Sequence, residues 1–318
     1  MTEQAGVFGA RPAPVERIRP LILVTGSTGL TGSEVVRRLS GRSVPVRALA
    51  RNASTINAGK AAELARLPGV EVVEGDMARP ETMVDALRSV DRAMLISASV
   101  ADMADVQERF IDAAAAAGVG HIVKLSGIMP ERDSPFRFAR MHGEIEAHLE
   151  QSGVAWTHLR AGEFMHAYFR QVPSIVNRGV LALPMADARI ASIDIGDIAD
   201  IAADVLTGAG HEGQVYPITG PEALTMTEVA AKLSAATGRE IRYLAVAPED
   251  ARAAQRAAGV PDYLADGLFE LFAERRKGKE ATVSLVTRTV FGREPTSFDA
   301  FARRYAPIFR GEEPAPKV

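Results

Sequence analysis

Cysteine is absent from all 318 residues. That excludes disulfides, thiolate metal sites and a cysteine nucleophile, and it fits a reducing, cytoplasmic setting. Long hydrophobic runs are absent too: none approaches the roughly 20 residues that a membrane-spanning helix needs. Residues 1–20 carry three prolines and mixed charge but no apolar stretch, and read as a loose N-terminal arm rather than a signal peptide. Neither sign of charge dominates, since 37 Lys and Arg face 40 Asp and Glu for a formal net charge of −3. No general attraction to nucleic acid or to an anionic membrane follows from such a balance. The six histidines show no metal-ligand spacing with nearby carboxylates, so no structural or catalytic metal is expected. What is present is an ordinary globular composition, 47% hydrophobic and 24% charged, in a chain long enough to bury a large core.

The stretch from Leu21 to Leu39, LILVTGSTGLTGSEVVRRL, organises the rest. An apolar run, Leu21 to Val24, enters the turn Gly26-Ser27-Thr28-Gly29-Leu30-Thr31-Gly32, and a helical pattern follows with Val35, Val36 and Leu39 on one side. Strand, glycine turn and helix come in the order that a dinucleotide pyrophosphate site requires. Gly26 releases the chain from the strand, Gly29 lets amides approach phosphate, and Gly32 lets the helix pack on its strand. The helix N-terminus then offers free N–H groups and the positive end of its dipole to an anion.

Further strands are predicted at 44–51, 70–76, 92–97, 121–126 and 155–159, alternating with helices at 60–67, 80–90, 104–117 and 138–151. This alternation predicts an α/β fold, a Rossmann-like doubly wound parallel sheet with a smaller, mainly helical C-terminal substrate lobe. A dinucleotide-binding domain is expected over 21–162, rejoined by 189–220 with a short strand at 189–193, a helix at 195–206 and a late edge strand at 215–219. The lobe takes 163–188 and 221–310, with helices at 227–237, 249–258, 263–276 and 298–305 and a strand at 241–246. Residues 311–318 read as a tail.

Cofactor choice rests on the end of the second strand. An acid there would hold an NAD ribose, but this chain has Arg51, with Arg47 earlier on the same strand and Asn52 and Ser54 after it. A guanidinium suits the dianionic 2′-phosphate of NADP(H), so NADP(H) is preferred over NAD(H). Asp76 and Met77, after the third strand, are either adenine contacts or an ordinary acidic turn. Ser97, ending the fourth strand, joins the candidate cofactor contacts.

TGSTGLTG, EGDM, KLSG, RMHGEIEAHLEQSG, WTHLRAGEFM and TGPEALTMTEVAAKLSAATGREIRY together resemble the NmrA-like atypical short-chain dehydrogenase/reductases, over about 21–309. That resemblance implies an NADPH-dependent quinone or dye reductase, or a regulator that binds the nucleotide without turnover. It also puts Ser126 at the family's serine position, and Phe138 and His142 where standard reductases carry the tyrosine and lysine of a Tyr-x-x-x-Lys pair. Phenylalanine cannot donate a proton. His142 and Ser126 are therefore the catalytic candidates, with Glu146 one turn from His142 on the same helix face, within hydrogen-bonding reach. The family's Arg-Pro is Arg160-Ala161 here, which predicts a looser loop.

Glu163, Phe164, Met165 and His166 follow the sixth strand, where the resemblance implies contacts near the nicotinamide. Phe164 is assigned to cofactor, and Glu163, Met165, His166 and Tyr168 to substrate, Tyr168 being the remaining candidate for the missing phenol. Lys124, in an apolar strand, either reaches phosphate or ribose or extends out to solvent. Arg132, Asp133, Arg137 and Arg140 read as a solvated loop at the site mouth, and the basic run 274–279 as a solvated helix end. The expected activity is NADPH-dependent hydride transfer to a quinone, enone or polyketide-like aromatic, by a monomer or homodimer. The alternatives are an NADP(H)-binding redox sensor and a cofactor-assisted isomerase or cyclase.

Overall fold

The computed structural model describes residues 19–55 and 57–316. Most of the N-terminal arm, residues 1–18, and the last two tail residues lie outside that range. In chain order the elements are β1 (Ile22–Val24), α1 (Leu30–Gly41), β2 (Val46–Ala50), α2 (Ala58–Ala65), β3 (Val70–Glu74), α3 (Val84–Leu87), β4 (Arg92–Leu95), α4 (Met103–Ala116) and β5 (His121–Gly127). Then come α5 (Arg137–Gln151), β6 (Ala155–Ala161), α6 (Val172–Arg178), β7 (Val180–Leu183), α7 (Ile195–Thr207), β8 (Gln214–Ile218) and α8 (Met226–Thr237). The chain closes with β9 (Arg242–Ala245), α9 (Pro248–Ala257), α10 (Asp262–Arg275), α11 (Val286–Thr289), α12 (Phe298–Arg304) and α13 (Ala306–Arg310).

Seven strands pair in parallel in the order β3-β2-β1-β4-β5-β6-β8. The order reverses between β1 and β4, the point at which open sheets of this kind bind ligands beyond their strand ends. β1 is apolar throughout because both of its faces are covered. Ile22 and Val24 pack with Val35, Val36 and Leu39 of α1 and Ile198 and Ala202 of α7. Leu23 joins Phe110 and Ile111 of α4 and Ile145 and Leu149 of α5 on the other side. A third cluster, built from Phe169, Leu181, Leu233, Phe298, Phe301 and Phe309, lies within the residues expected to form the C-terminal lobe.

Three local expectations change. The helix expected over 80–90 is a 3-10 turn (Pro80–Thr82) followed by the single turn of α3. There Thr82 Oγ1 accepts from the Asp76 amide at 2.9 Å and donates to the Arg79 carbonyl at 2.8 Å, bonds that compete with a continuous helix. The strand expected at 189–193 makes only isolated bridges, Ile190 to Leu224 and Ile193 to Phe164. The lobe, read as mainly helical, also holds the parallel pair β7 and β9, and β7 went unpredicted because its partner lies far along the sequence.

Candidate active site

The carboxyl ends of the central strands open onto a crevice of about 1000 Å³. It starts at the glycine turn. Gly26 has φ +59°, and an added Cβ would press on the Ile96 carbonyl oxygen at 2.9 Å. The amide of Gly29 bonds the Gly26 carbonyl at 2.9 Å, which closes the turn. Among the described residues no side chain caps the start of α1, and its first turn holds no acid, so its N–H groups are left open to an anion. Gly26, Thr28, Gly29, Leu30 and Thr31 all line the opening. The cradle fits a dinucleotide pyrophosphate.

Two residues of the motif work behind it. The buried Ser27 hydroxyl donates to the Leu49 carbonyl at 2.7 Å and so ties the turn to β2. Gly32 is a packing contact, where a Cβ would lie 2.3 Å from the Gly26 oxygen. Along the rim stand Arg51, Asp76, Met77 and Ser97. Arg47 is elsewhere, bonded to Glu71 and to the Ala86 and Arg88 carbonyls, each at 2.9 Å. The Asp76 carboxylate accepts from the Ala78 amide at 3.0 Å, and Ser97 accepts from Gln107 Nε2 at 2.7 Å.

Deeper in, β5, β6 and α5 assemble a polar cluster. Ser126 and His142 line the crevice, as expected. Lys124 does not; nor does it reach solvent, for it is fully buried. Its ammonium meets His142 Nδ1 at 2.9 Å and Ser126 Oγ at 3.2 Å. Burial lowers the Lys124 pKa to about 7, with Glu146 opposing the fall and Arg160 adding to it. His142 is pushed well below the usual histidine value, first by burial and then by the Lys124 charge. The expected His142–Glu146 hydrogen bond is replaced. Arg160 reaches from β6 to hold both Glu146 oxygens, at 3.2 and 2.5 Å, because a guanidinium fork matches a carboxylate better than an imidazole edge does. Burial raises the Glu146 pKa, but Arg160, His158, Ser126 and Lys124 together outweigh it and the net shift is downward. The loop after Arg160-Ala161 is also tied down, with Gly162 bonded to Ile218 at 3.0 Å and Ile193 to Glu163 at 2.7 Å.

The far wall is apolar. Ile128, Met129, Phe136 and Phe138 face Leu264, Leu268 and Leu271 of α10. Phe138, at the position of the missing phenol, packs edge-on against Phe136 and Tyr263 at 5.6 and 5.9 Å. A Cβ on Gly267 would fall 2.5 Å from the Phe138 ring, so α10 lies tightly over it. Arg137 is part of a clamp rather than a solvated loop. It bonds Glu270 of α10 at 2.6 Å and stacks over Tyr263 at 4.6 Å, while Arg140 donates to the Ser134 carbonyl.

Glu163 and Phe164 line the crevice. Met165 and Tyr168 instead turn into the lobe core, where the Tyr168 hydroxyl lies 3.5 Å from Ser192 and burial raises its pKa. His166 packs against Phe169, Phe301 and Tyr305 and borders a smaller cavity. In the 3-10 segment Met165–Gln171 that follows Phe164, Met165, His166, Tyr168 and Phe169 are the buried residues. Sequence reasoning missed Arg275, since the run 274–279 is no solvated helix end: Glu274 and Arg275 are buried. Arg275 ion-pairs with Glu163 and, at 3.1 Å, with Glu280, and all three line the crevice. Burial disfavours the Arg275 charge, but the two carboxylates outweigh it. The α10 leucines had a signal in their helical spacing; Arg275 had none. His158 also meets Glu150 at 3.1 Å with Glu146 close by, a grouping that histidine spacing concealed, although Arg160 occupies both Glu146 oxygens.

Similar geometry recurs in known proteins. An NAD(P)H azoreductase of Xenophilus azovorans is 39% identical over 289 residues, covering 91% of this chain and 99% of that one. A (4-alkanoyl-5-oxo-2,5-dihydrofuran-3-yl)methyl phosphate reductase of Streptomyces griseus subsp. griseus is 36% identical over 92% of this chain and all of its own length. Among solved structures, the NADPH complex of an NADPH-dependent quinone oxidoreductase from Escherichia coli superposes with a TM-score of 0.80 at 33% identity, covering 89% of this chain and 99% of that one. The model of the NmrA-like family matches residues 19–302, and with it the strand–glycine-turn–helix cradle finds its place: the chain belongs to the NmrA-like family.

Proposed function

We propose that this protein is an NADPH-dependent reductase of flat, conjugated small molecules such as quinones, enones or polyketide-like aromatics. The observation that carries the reading is continuity: one crevice runs from an uncapped helix N-terminus to a wall of Phe136, Phe138 and α10 leucines. Bound there, the reduced nicotinamide supplies a hydride and its two electrons. Gly29, Leu30 and Thr31 hold the pyrophosphate through main-chain amides, and Arg51 takes the 2′-phosphate. The apolar wall excludes water and positions a planar acceptor, and Glu163 and Phe164 border the acceptor's place. His142 stands at the polar edge, where negative charge develops on the reduced acceptor. The relatives fit this reading, being reductases of azo, unsaturated furanone and quinone compounds by name.

The test is NADPH oxidation with a panel of quinones, cyclic enones and azo dyes, beside calorimetric binding of NADPH. Turnover with at least one class is expected. Tight NADPH binding with no turnover above background would remove the reductase and leave a nucleotide-sensing protein.

A further inference from the structure

A lysine buried in an apolar strand normally has a carboxylate partner, because an unpaired internal charge costs several kcal/mol. Among the described residues, Lys124 has none in contact. Its ammonium reaches His142 Nδ1, Ser126 Oγ and, at 3.5 Å, the Leu125 carbonyl. The nearest acid, Glu146, is committed to Arg160 through both oxygens. Packing alone would be served better by methionine or leucine, so the charge itself needs an explanation.

We propose that Lys124 is the proton reserve for the reduction, delivered through the imidazole of His142. The proposal rests on the reductase reading above. While Lys124 is an ammonium it donates to Nδ1, so the neutral ring carries its proton on Nε2. That edge lies over Gly127 at the crevice; a methyl group on Gly127 would sit 3.2 Å from Cδ2 and 3.8 Å from Nε2. Hydride transfer from NADPH reduces the acceptor by two electrons and leaves an oxyanion, with NADP+ as the oxidised product. The His142 Nε2–H bond breaks as the acceptor O–H bond forms, and Nδ1 takes a proton from Lys124. The pair ends as a neutral amine accepting from Nδ1–H; after product leaves, solvent supplies one proton to Nε2 and the Nδ1 proton returns to Lys124. Lys124 never touches the acceptor; it sets the tautomer of His142 and replaces its proton.

The surroundings suit the exchange. Glu146 and His142 face Lys124 from α5, and His158 and Arg160 face it from β6. Burial with Arg160 nearby makes Lys124 a far better acid than a surface lysine, and one near neutrality. The same burial keeps His142 uncharged, so the ring passes a proton on without storing one.

The experiment pairs Lys124→Met, of similar length and apolar, with ¹⁵N NMR of histidine-labelled protein, His142 being assigned through His142→Gln. In the cofactor-free wild type, His142 is expected as the Nε2–H tautomer below neutral pH. It should convert toward Nδ1–H with a midpoint near the Lys124 pKa of about 7, a transition that Lys124→Met abolishes. In turnover, Lys124→Met is expected to lower kcat on a p-quinone by at least about tenfold and to flatten its decline above neutral pH, with the NADPH Kd changed by less than about twofold. An unchanged His142 titration in Lys124→Met, or quinone turnover within about twofold of wild type, would overturn the relay. The wild-type NMR titration decides the coupling even if the variant fails to fold. A wild type that reduces no acceptor takes away the reductase reading and the relay's role with it, whatever the spectra show.

Discussion

The two ends of the crevice are built from different materials. The cofactor end is main chain: a left-handed glycine, an uncapped helix start and a glycine against which the helix packs, all within 26–32. The acceptor end is side chain: Lys124, His142, Glu146, Arg160, Glu163, Arg275 and Glu280 come from separate elements and are held by mutual pairing. The first end tolerates little change in shape. The second tolerates little change in charge.

Substitutions can separate those two sensitivities. The largest effect is expected from Arg275→Met, which leaves Glu163 and Glu280 facing each other with no cation between them. Removing one partner from a buried ion cluster costs about 3–5 kcal/mol, measured as a shift of the urea unfolding curve. Adding Glu280→Gln should recover part of that loss. No recovery would mean that Arg275 matters for packing rather than for charge. Next is Gly32→Ala, whose Cβ would fall 2.3 Å from the Gly26 oxygen. Because the clash is with backbone, α1 must move, and NADPH affinity by calorimetry is expected to fall by about 100-fold or more, roughly 2.7 kcal/mol. Unaltered affinity would break the claim that this end is governed by shape. The smallest effect is expected from Arg51→Ala, which removes one exposed guanidinium from the rim. A loss of about tenfold in NADPH affinity is expected with NADH unaffected, about 1.4 kcal/mol of charge-assisted bonding. Equal losses for both nucleotides would place Arg51 away from the 2′-phosphate.

The legibility of each region follows the same division. β1, the glycine turn and α1 were readable because their chemistry lies in consecutive residues and in periodicity. Phe138 and His142 could be placed because they share one helix with fixed spacing. Arg160 on Glu146 could not be read, because one belongs to β6 and the other to α5 and no local rule relates them. Tyr168 and Met165 were misplaced for a related reason: the 3-10 segment Met165–Gln171 packs both into a cluster formed with residues far along the chain.

By itself, the sequence determined the parallel α/β sheet and the strand–glycine-turn–helix cradle, and it set Arg51 at the end of the second strand. Each depends on backbone geometry or on charge at a strand end, and these are local properties. Only the tertiary structure decided that Lys124 is buried against His142, that Arg275 lies between two carboxylates and that α10 closes the acceptor wall. Those outcomes depend on which distant side chains share a low-dielectric space, where unpaired charge is costly and pairing is set by packing.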